Sequence, residues 1–273
     1  GGILPSAKDQ FGFLAESRQG RSRCYTFGPG SEAQRIARAD GCAISLDGSM
    51  VFFSEMYSDD LALSALRIDG GREMILLDDI EGVASYRIAN DGSTVAYVQT
   101  EGDDQQLLSI DVRSRARQPV SDKVAEVVAY GFLPGGDTLF YVVRRDAEQD
   151  QVQLYLSTSD RVIAQGSSID ARFTPDARRI AYLVGDETSG TLHVDPLGEE
   201  GERRVVLSQE GVIGYAILDT SPPKIVIPVL QEGRVLVYTA DLDGANVIQA
   251  AKVDGASITG LQYIEGEEFL YLQ

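Results

Sequence analysis

Tryptophan is absent and histidine occurs once, at position 193. A single histidine excludes a multi-histidine metal site. A Ser-His-Asp triad would need His193 beside an activated serine, and the chain has no Gly-x-Ser-x-Gly elbow. Cys-x-x-Cys pairs, Walker-type loops and dinucleotide fingerprints are missing too. No catalytic residue, cofactor or metal ligand is therefore expected, and the chain is expected to be non-enzymatic. Cysteine occurs twice, as Cys24 and Cys42, in different predicted strands. The two can pair, but free buried thiols are the favoured reading. No apolar run is long enough to cross a bilayer. Basic residues are scarce: 24 Lys and Arg face 42 Asp and Glu, for a net charge of −18. That balance disfavours phosphate-directed nucleic-acid binding and docking on anionic lipid. It favours solubility and a basic partner. Long amphipathic helices are missing as well. The nearest candidate, residues 31–38, is too short to stand alone.

What the chain does contain is a repeated hairpin. Ile88-Ala89-Asn90-Asp91-Gly92-Ser93-Thr94-Val95-Ala96-Tyr97-Val98 reads as a strand end, a tight turn and a β-branched strand. The unit recurs at Ile44–Phe53, Phe132–Tyr141 and Phe173–Tyr182, with worn copies near Ser221–Ile227 and Glu265–Tyr271. The turns fall at 47, 91, 135, 176, about 221 and 265, so successive copies lie 44, 44, 41, about 45 and 44 residues apart. A period in the low forties with one hairpin per copy marks a propeller blade of four strands. Glycine after Asp or Asn accepts the positive φ that the turn needs. Pro134 and Pro175 supply a fixed φ at the turn entry.

The motif resembles the TolB-like, or WD40-like PD40, repeat, whose consensus runs aromatic-Ser-Pro-Asp-Gly into an apolar strand. Phe173-Thr174-Pro175-Asp176 is the nearest copy; Leu46 and Asn90 replace the proline elsewhere, and Ile44, Ile88, Phe132 and Phe173 stand where the family has Trp. The resemblance covers nearly the whole chain. It implies a β-propeller, export to the periplasm or cell surface, and a role in binding proteins. The start Gly1-Gly2-Ile3-Leu4-Pro5 has no Met and reads as processed or trimmed. It would suit a lipoprotein anchored just upstream.

The expected architecture is all-β: a six-bladed propeller of four-stranded blades. Residues 1–10 form an extended lead-in. Residues 11–273 form one domain, closed by pairing of the N- and C-terminal strands. In each blade, strand A precedes the turn and B follows it. Strand C includes 65–68, 107–110, 153–156, 191–194 and 235–238. The polar outer strand D includes 74–77, 117–120, 204–207 and 246–249. Residues 11–15 read as an extra B strand, so seven blades with one incomplete is the alternative.

Two candidate surfaces follow. The B–C loops carry Asp59, Asp60, Asp103, Asp104, Asp146, Glu148, Asp150, Asp186 and Glu187. If these converge, they make an acidic rim that steers a basic protein partner; solubility alone would also place acid in such loops. The A strands carry Tyr86, Tyr130, Asp170, Arg172 and Tyr215, which could line a channel taking a small ligand or glycan. His193 falls on a C strand and is expected to be structural. Asp241–Asn246 resembles the start of a calcium loop but lacks its later Glu, so a plain hairpin turn is expected.

Overall fold

The computed structural model describes residues 3–5, 11–16, 22–28, 32–57, 60–69, 71–185, 189–197, 204–218, 220–254, 261–263 and 270–272. Among these residues the only regular element is the β-strand.

Six sheets have four strands, each sheet built from strands consecutive in the chain. The first holds β1 (Ile3–Pro5), β2 (Phe11–Glu16), β3 (Ser22–Phe27) and β4 (Gln34–Arg38). The second holds β5 (Gly41–Ile44), β6 (Met50–Tyr57), β7 (Asp60–Arg67) and β8 (Met74–Glu81). The third holds β9 (Val83–Ile88), β10 (Thr94–Glu101), β11 (Asp104–Asp111) and β12 (Arg117–Pro119). The fourth holds β13 (Glu126–Phe132), β14 (Leu139–Arg144), β15 (Val152–Leu156) and β16 (Ser159–Gly166). The fifth holds β17 (Ser168–Phe173), β18 (Arg179–Gly185), β19 (Ser189–Pro196) and β20 (Arg204–Glu210). The sixth holds β21 (Ala216–Leu218), β22 (Lys224–Gln231), β23 (Arg234–Asp241) and β24 (Ile248–Asp254). A two-stranded sheet of β25 (Leu261–Tyr263) and β26 (Leu270–Leu272) follows. Residues 3–5, inside the expected lead-in, pair with β2.

The repeated turn is built as its chemistry demands. In the copy at 45–50, Gly48 N donates to Ser45 O (2.9 Å) and Ser45 N to Met50 O (3.0 Å). The copies at 89–94 and 174–179 repeat both bonds. The carboxylates of Asp47, Asp91 and Asp176 each accept the backbone N–H two residues on, at 3.0, 2.9 and 3.0 Å. The positive φ falls at Gly48 (69°), Gly92 (71°) and Ala177 (52°). In the copy at 133–138 it falls one residue earlier, at Gly135 (75°). There Pro134 occupies the second turn position and a type II turn forms. Successive turns also touch: Asp47 N donates to Asn90 O at 3.3 Å. A Cβ on Gly92 would stand 3.0 Å from the Cβ of Ser45, so close contact as well as φ calls for glycine.

The chain divides into two compact units: residues 1–149 with 156–160, and residues 150–155 with 161–273. In the first unit, Phe52, Leu63 and Leu77 of the second sheet pack with Val95, Tyr97 and Ile110 of the third. In the second unit, Ala181, Leu192 and Val194 pack with Ile225, Ile227 and Val229. The second strand of a sheet is covered on both faces and reads as a continuous apolar run: Val95 to Val98 are all buried, as are Ile225 to Val229. The fourth strands β12 and β24 are mostly exposed, whereas β8 buries Leu76 and Leu77. Pro119 sits on such an outer strand, where a missing N–H costs little.

Cys24 on β3 and Cys42 on β5 form a disulfide, with a Cα–Cα distance of 5.5 Å. The two cysteines are therefore bonded, and not the free thiols expected from the sequence. The two strands lie in different sheets, and a one-dimensional reading cannot see that Cys24, Ala39, Val51 and Phe53 share one cluster with Cys42 against it.

Tyr97 and Tyr182 hold equivalent places, six residues after Asp91 and Asp176, and both are fully buried. The Tyr182 hydroxyl donates to Asp195 at 2.7 Å. Asp195 lies opposite Ile180, and the corresponding residue opposite Val95 is Ile110. The Tyr97 hydroxyl consequently has no hydrogen-bond partner among the described residues. Its pKa is pushed up by burial, with Arg117 opposing. Tyr97→Phe is expected to raise stability by about 1 kcal/mol, since it removes a buried hydroxyl that nothing satisfies. Tyr182→Phe is expected to lower it by a similar amount. Urea midpoints of the two variants check both signs.

Candidate functional site

One device occurs three times, at or just before the first strands of the third, fourth and sixth sheets. A tyrosine five residues before the turn, or about six in the case of Tyr215, sends its hydroxyl to the preceding sheet. Tyr86, on β9, lies with its hydroxyl 3.3 Å from Ser54 Oγ on β6. Tyr130, on β13, lies with its hydroxyl 2.8 Å from Ser85 Oγ on β9. Tyr215, just before β21, donates to Ala181 O at 2.7 Å and Asp170 O at 3.2 Å. Burial is the largest cause raising the pKa of all three phenols. For Tyr215 the Asp170 charge pushes the same way, and Arg172 opposes. All three rings are thus held by the scaffold, with hydroxyls committed to protein atoms.

An arginine accompanies two of them. In the first unit, Arg87 lies over the Tyr130 ring, 5.6 Å from its centroid. In the second, Arg172 lies over the Tyr215 ring at 5.4 Å. Arg87 opposes Ala96 and Arg172 opposes Ala181, so the two arginines occupy one position of the repeat. Both are exposed, as a cation–π pair at a surface allows. Arg172 also meets Asp170 at 3.4 Å, with about half of each side chain exposed. The residue equivalent to Asp170 in the third sheet is Ser85: Ser85 opposes Val98 as Asp170 opposes Leu183. Arg87 is not among the residues expected from the sequence. The signal is there, because Arg87 and Arg172 each stand four residues before a turn aspartate.

The loop carboxylates are placed differently from one another. Asp60 opens β7 and is half-buried. Asp103, Asp104, Asp146, Glu148 and Asp150 are exposed. Asp103 lies in the β10–β11 turn and Asp104 opens β11, whereas Asp146, Glu148 and Asp150 lie between β14 and β15. Asp146 accepts the Glu148 N–H at 3.0 Å. Asp59, Asp186 and Glu187 fall outside the described residues. Nearby bases are already committed: Lys123 to Glu101 at 2.6 Å, Arg144 to Glu126 at 3.4 Å and Arg145 to Asp122 at 3.6 Å. Lys123 holds the Glu101 pKa below the usual carboxylate range.

A cleft of about 550 Å³ in the first unit also escapes sequence reasoning. Met50, Met74 and Val112 line it beside Arg67, Asp91 and Arg113. Arg67 is occupied by a two-point bond to Asp69, at 3.0 and 2.6 Å. Nothing at the start of β6 or the end of β11 signals a cleft, since it arises where two sheets meet.

His193 lies on β19, stacked on Tyr182 with ring centroids 5.1 Å apart. Residues 241–246 form the turn from β23 to β24, closed by Gly244 N donating to Asp241 O at 3.0 Å. No group of three or more His, Cys, Asp or Glu able to hold a metal occurs among the described residues. Among those residues no helix is long and apolar enough to cross a membrane.

No family model and no curated protein matches the sequence. Solved structures do match. The β-propeller domain of the Trilobed protease from Pyrococcus furiosus, described as having an open velcro topology, aligns with a TM-score of 0.56 and 14% identity. That alignment covers 97% of this chain and 86% of the other. The chain is a β-propeller. Two further matches are a prolyl endopeptidase and an oligogalacturonate lyase in complex with manganese. The first has a TM-score of 0.63, 13% identity and 97% coverage of this chain, but this chain spans only 44% of that one. The second has a TM-score of 0.58, 12% identity and coverage of 97% and 78%. At such identities the likeness shows the fold alone, and one fold serves peptidases and a lyase alike.

Proposed function

We propose that this propeller is an exported, non-enzymatic protein-binding platform whose acidic loops take a basic partner. The observation that carries the reading is the state of the loop carboxylates. Asp103, Asp104, Asp146 and Glu148 are exposed with no ion pair to a base among the described residues, while neighbouring Lys123, Arg144 and Arg145 are already neutralised by other acids. Unpaired charge of one sign at a surface raises the local concentration of an oppositely charged partner. Asp150 shares a loop with Asp146 and Glu148, and in the sequence Asp59, Asp60, Asp186 and Glu187 carry acid in the other B–C loops. The Cys24–Cys42 disulfide supports export, since such bonds persist in oxidising compartments.

A Lys- and Arg-rich peptide is the probe. Its affinity is expected to fall at least fivefold between low and physiological salt. The combined change Asp103→Asn, Asp104→Asn, Asp146→Asn and Glu148→Gln is expected to weaken it further at low salt. Salt-insensitive binding, or full binding by the neutralised variant, would defeat the reading.

A second reading is favoured by the first-strand residues. Tyr86, Tyr130, Asp170, Arg172 and Tyr215, with Arg87, offer exposed charge beside fixed aromatic rings, the mix that small ligands and glycans use.

A further inference from the structure

The two arginine–tyrosine pairs differ in one respect, and the difference names a chemistry. In the second unit, Arg172 over Tyr215 has Asp170 two residues away on the same strand, 3.4 Å from its guanidinium. In the first unit the aspartate position is Ser85, whose hydroxyl goes to Tyr130. Arg87 uses one donor on the carbonyl of Tyr86, at 3.0 Å. A guanidinium has five. No carboxylate pairs with Arg87 among the described residues, although the chain carries 42 Asp and Glu. In a protein of net charge −18, an exposed arginine without an acid partner, laid over a fixed ring, is an arginine kept open.

We propose that Arg87, with Tyr130 beneath it and Ser85 beside it, forms a carboxylate-binding site. Its ligand is a small organic acid or the free carboxyl terminus of a peptide. Asp170 is the built-in equivalent of that ligand at Arg172. Arg87 presents a planar fork that accepts a carboxylate through two parallel N–H bonds. The Ser85–Tyr130 contact holds the ring, so the arginine is positioned before the ligand arrives, which limits the ordering cost of binding. The site rests on the second reading above, that the first strands take a ligand, and it supplies the ligand's chemistry.

The test follows the Arg87 Nε–H resonance by NMR in the intact chain, with N-acetylglycine as probe and N-acetylglycinamide as its uncharged control. The acid is expected to shift the Arg87 signal saturably, with a dissociation constant on the order of millimolar, and the amide is not. Ser85→Asp, which installs the internal acid, is expected to abolish the shift. Arg87→Lys keeps the charge but loses the fork, and is expected to weaken binding at least threefold, read from backbone shifts in β9. Asp170→Ser is expected to open a second saturable site at Arg172. Equal shifts with acid and amide would overturn the carboxylate assignment and leave ligand binding standing. No shift with either probe would overturn both. Retained acid binding in Ser85→Asp, with melting unchanged, would overturn the role of the missing aspartate.

Discussion

Gly211→Ala is expected to cost about 3 kcal/mol or more of stability. Gly211 lies between β20 and β21 at a φ of 83°, and its carbonyl accepts the Leu230 N–H at 2.7 Å. A Cβ there would stand 1.9 Å from the Leu230 carbonyl oxygen. Backbone rather than a flexible side chain blocks it, so β22 or the crossover has to move. Gly82, between β8 and β9, repeats the arrangement. Its φ is 76°, its carbonyl accepts Thr100 N–H at 2.9 Å, and a Cβ would stand 2.4 Å from Thr100 O. These crossovers are where a chain leaves an outer strand and starts the next sheet. The glycine lets the two backbones close to hydrogen-bonding distance. Gly233 separates the two causes. It has a φ of 71°, and a Cβ added to it would meet no atom within 4 Å. Gly233→Ala should therefore show only the conformational cost of a left-handed residue, about 1 kcal/mol. Urea unfolding of the Gly211 and Gly233 alanine variants checks the difference. Equal losses would mean that contact at Leu230 is not what the glycine serves.

Removing the Cys24–Cys42 bond is expected to cost a similar amount. The cysteines are 18 residues apart in sequence, and closing a loop of that size removes unfolded-state entropy worth about 3 kcal/mol. Cys24→Ala with Cys42→Ala should lower the urea midpoint of the first unit, and the oxidised parent under reductant should match the double variant. Alkylation in denaturant without reductant should leave both cysteines unmodified. Two alkylated cysteines would show that the thiols are free. The bond ties β3 to β5, and hence the first sheet to the second. Loss of stability is expected to concentrate there, since Cys24 is fully buried against Ala39, Val51 and Phe53.

The strands are the most legible part of the chain. Leu107 to Ile110 and Val235 to Val237 alternate or run apolar as covered strands must, and both lie inside the strands found, β11 and β23. Outer strands read less well. The expected strand at 246–249 begins at Ile248, because Asn246, at a φ of 53°, still belongs to the turn. Exposed strands carry no burial pattern to mark their ends. The turn at Pro134-Gly135-Gly136 aligns correctly, yet its left-handed residue lies one place earlier than in its fellows. Proline at the second turn position selects that geometry, and alignment by spacing hides it.

Among the candidate site residues, the type of each is visible in the sequence and its company is not. Tyr86, Tyr130 and Tyr215 stand out as aromatic residues on or next to first strands. The sheets show that their hydroxyls are spent on Ser54, Ser85 and the carbonyls of Asp170 and Ala181. Arg87 passes unnoticed because its meaning lies in the ring it covers, 43 residues further along the chain.

Period and turn chemistry are local: a hairpin needs only neighbouring residues to set its φ angles and its alternation, so the repeat and the all-β class can be read from the chain alone. The disulfide, the arginine–tyrosine pairs and the backbone contacts of Gly82 and Gly211 each join residues from two different strands or sheets. Their partners meet only after the sheets have packed, because it is the closeness of one folded surface to the next, and not the order of residues, that sets those distances.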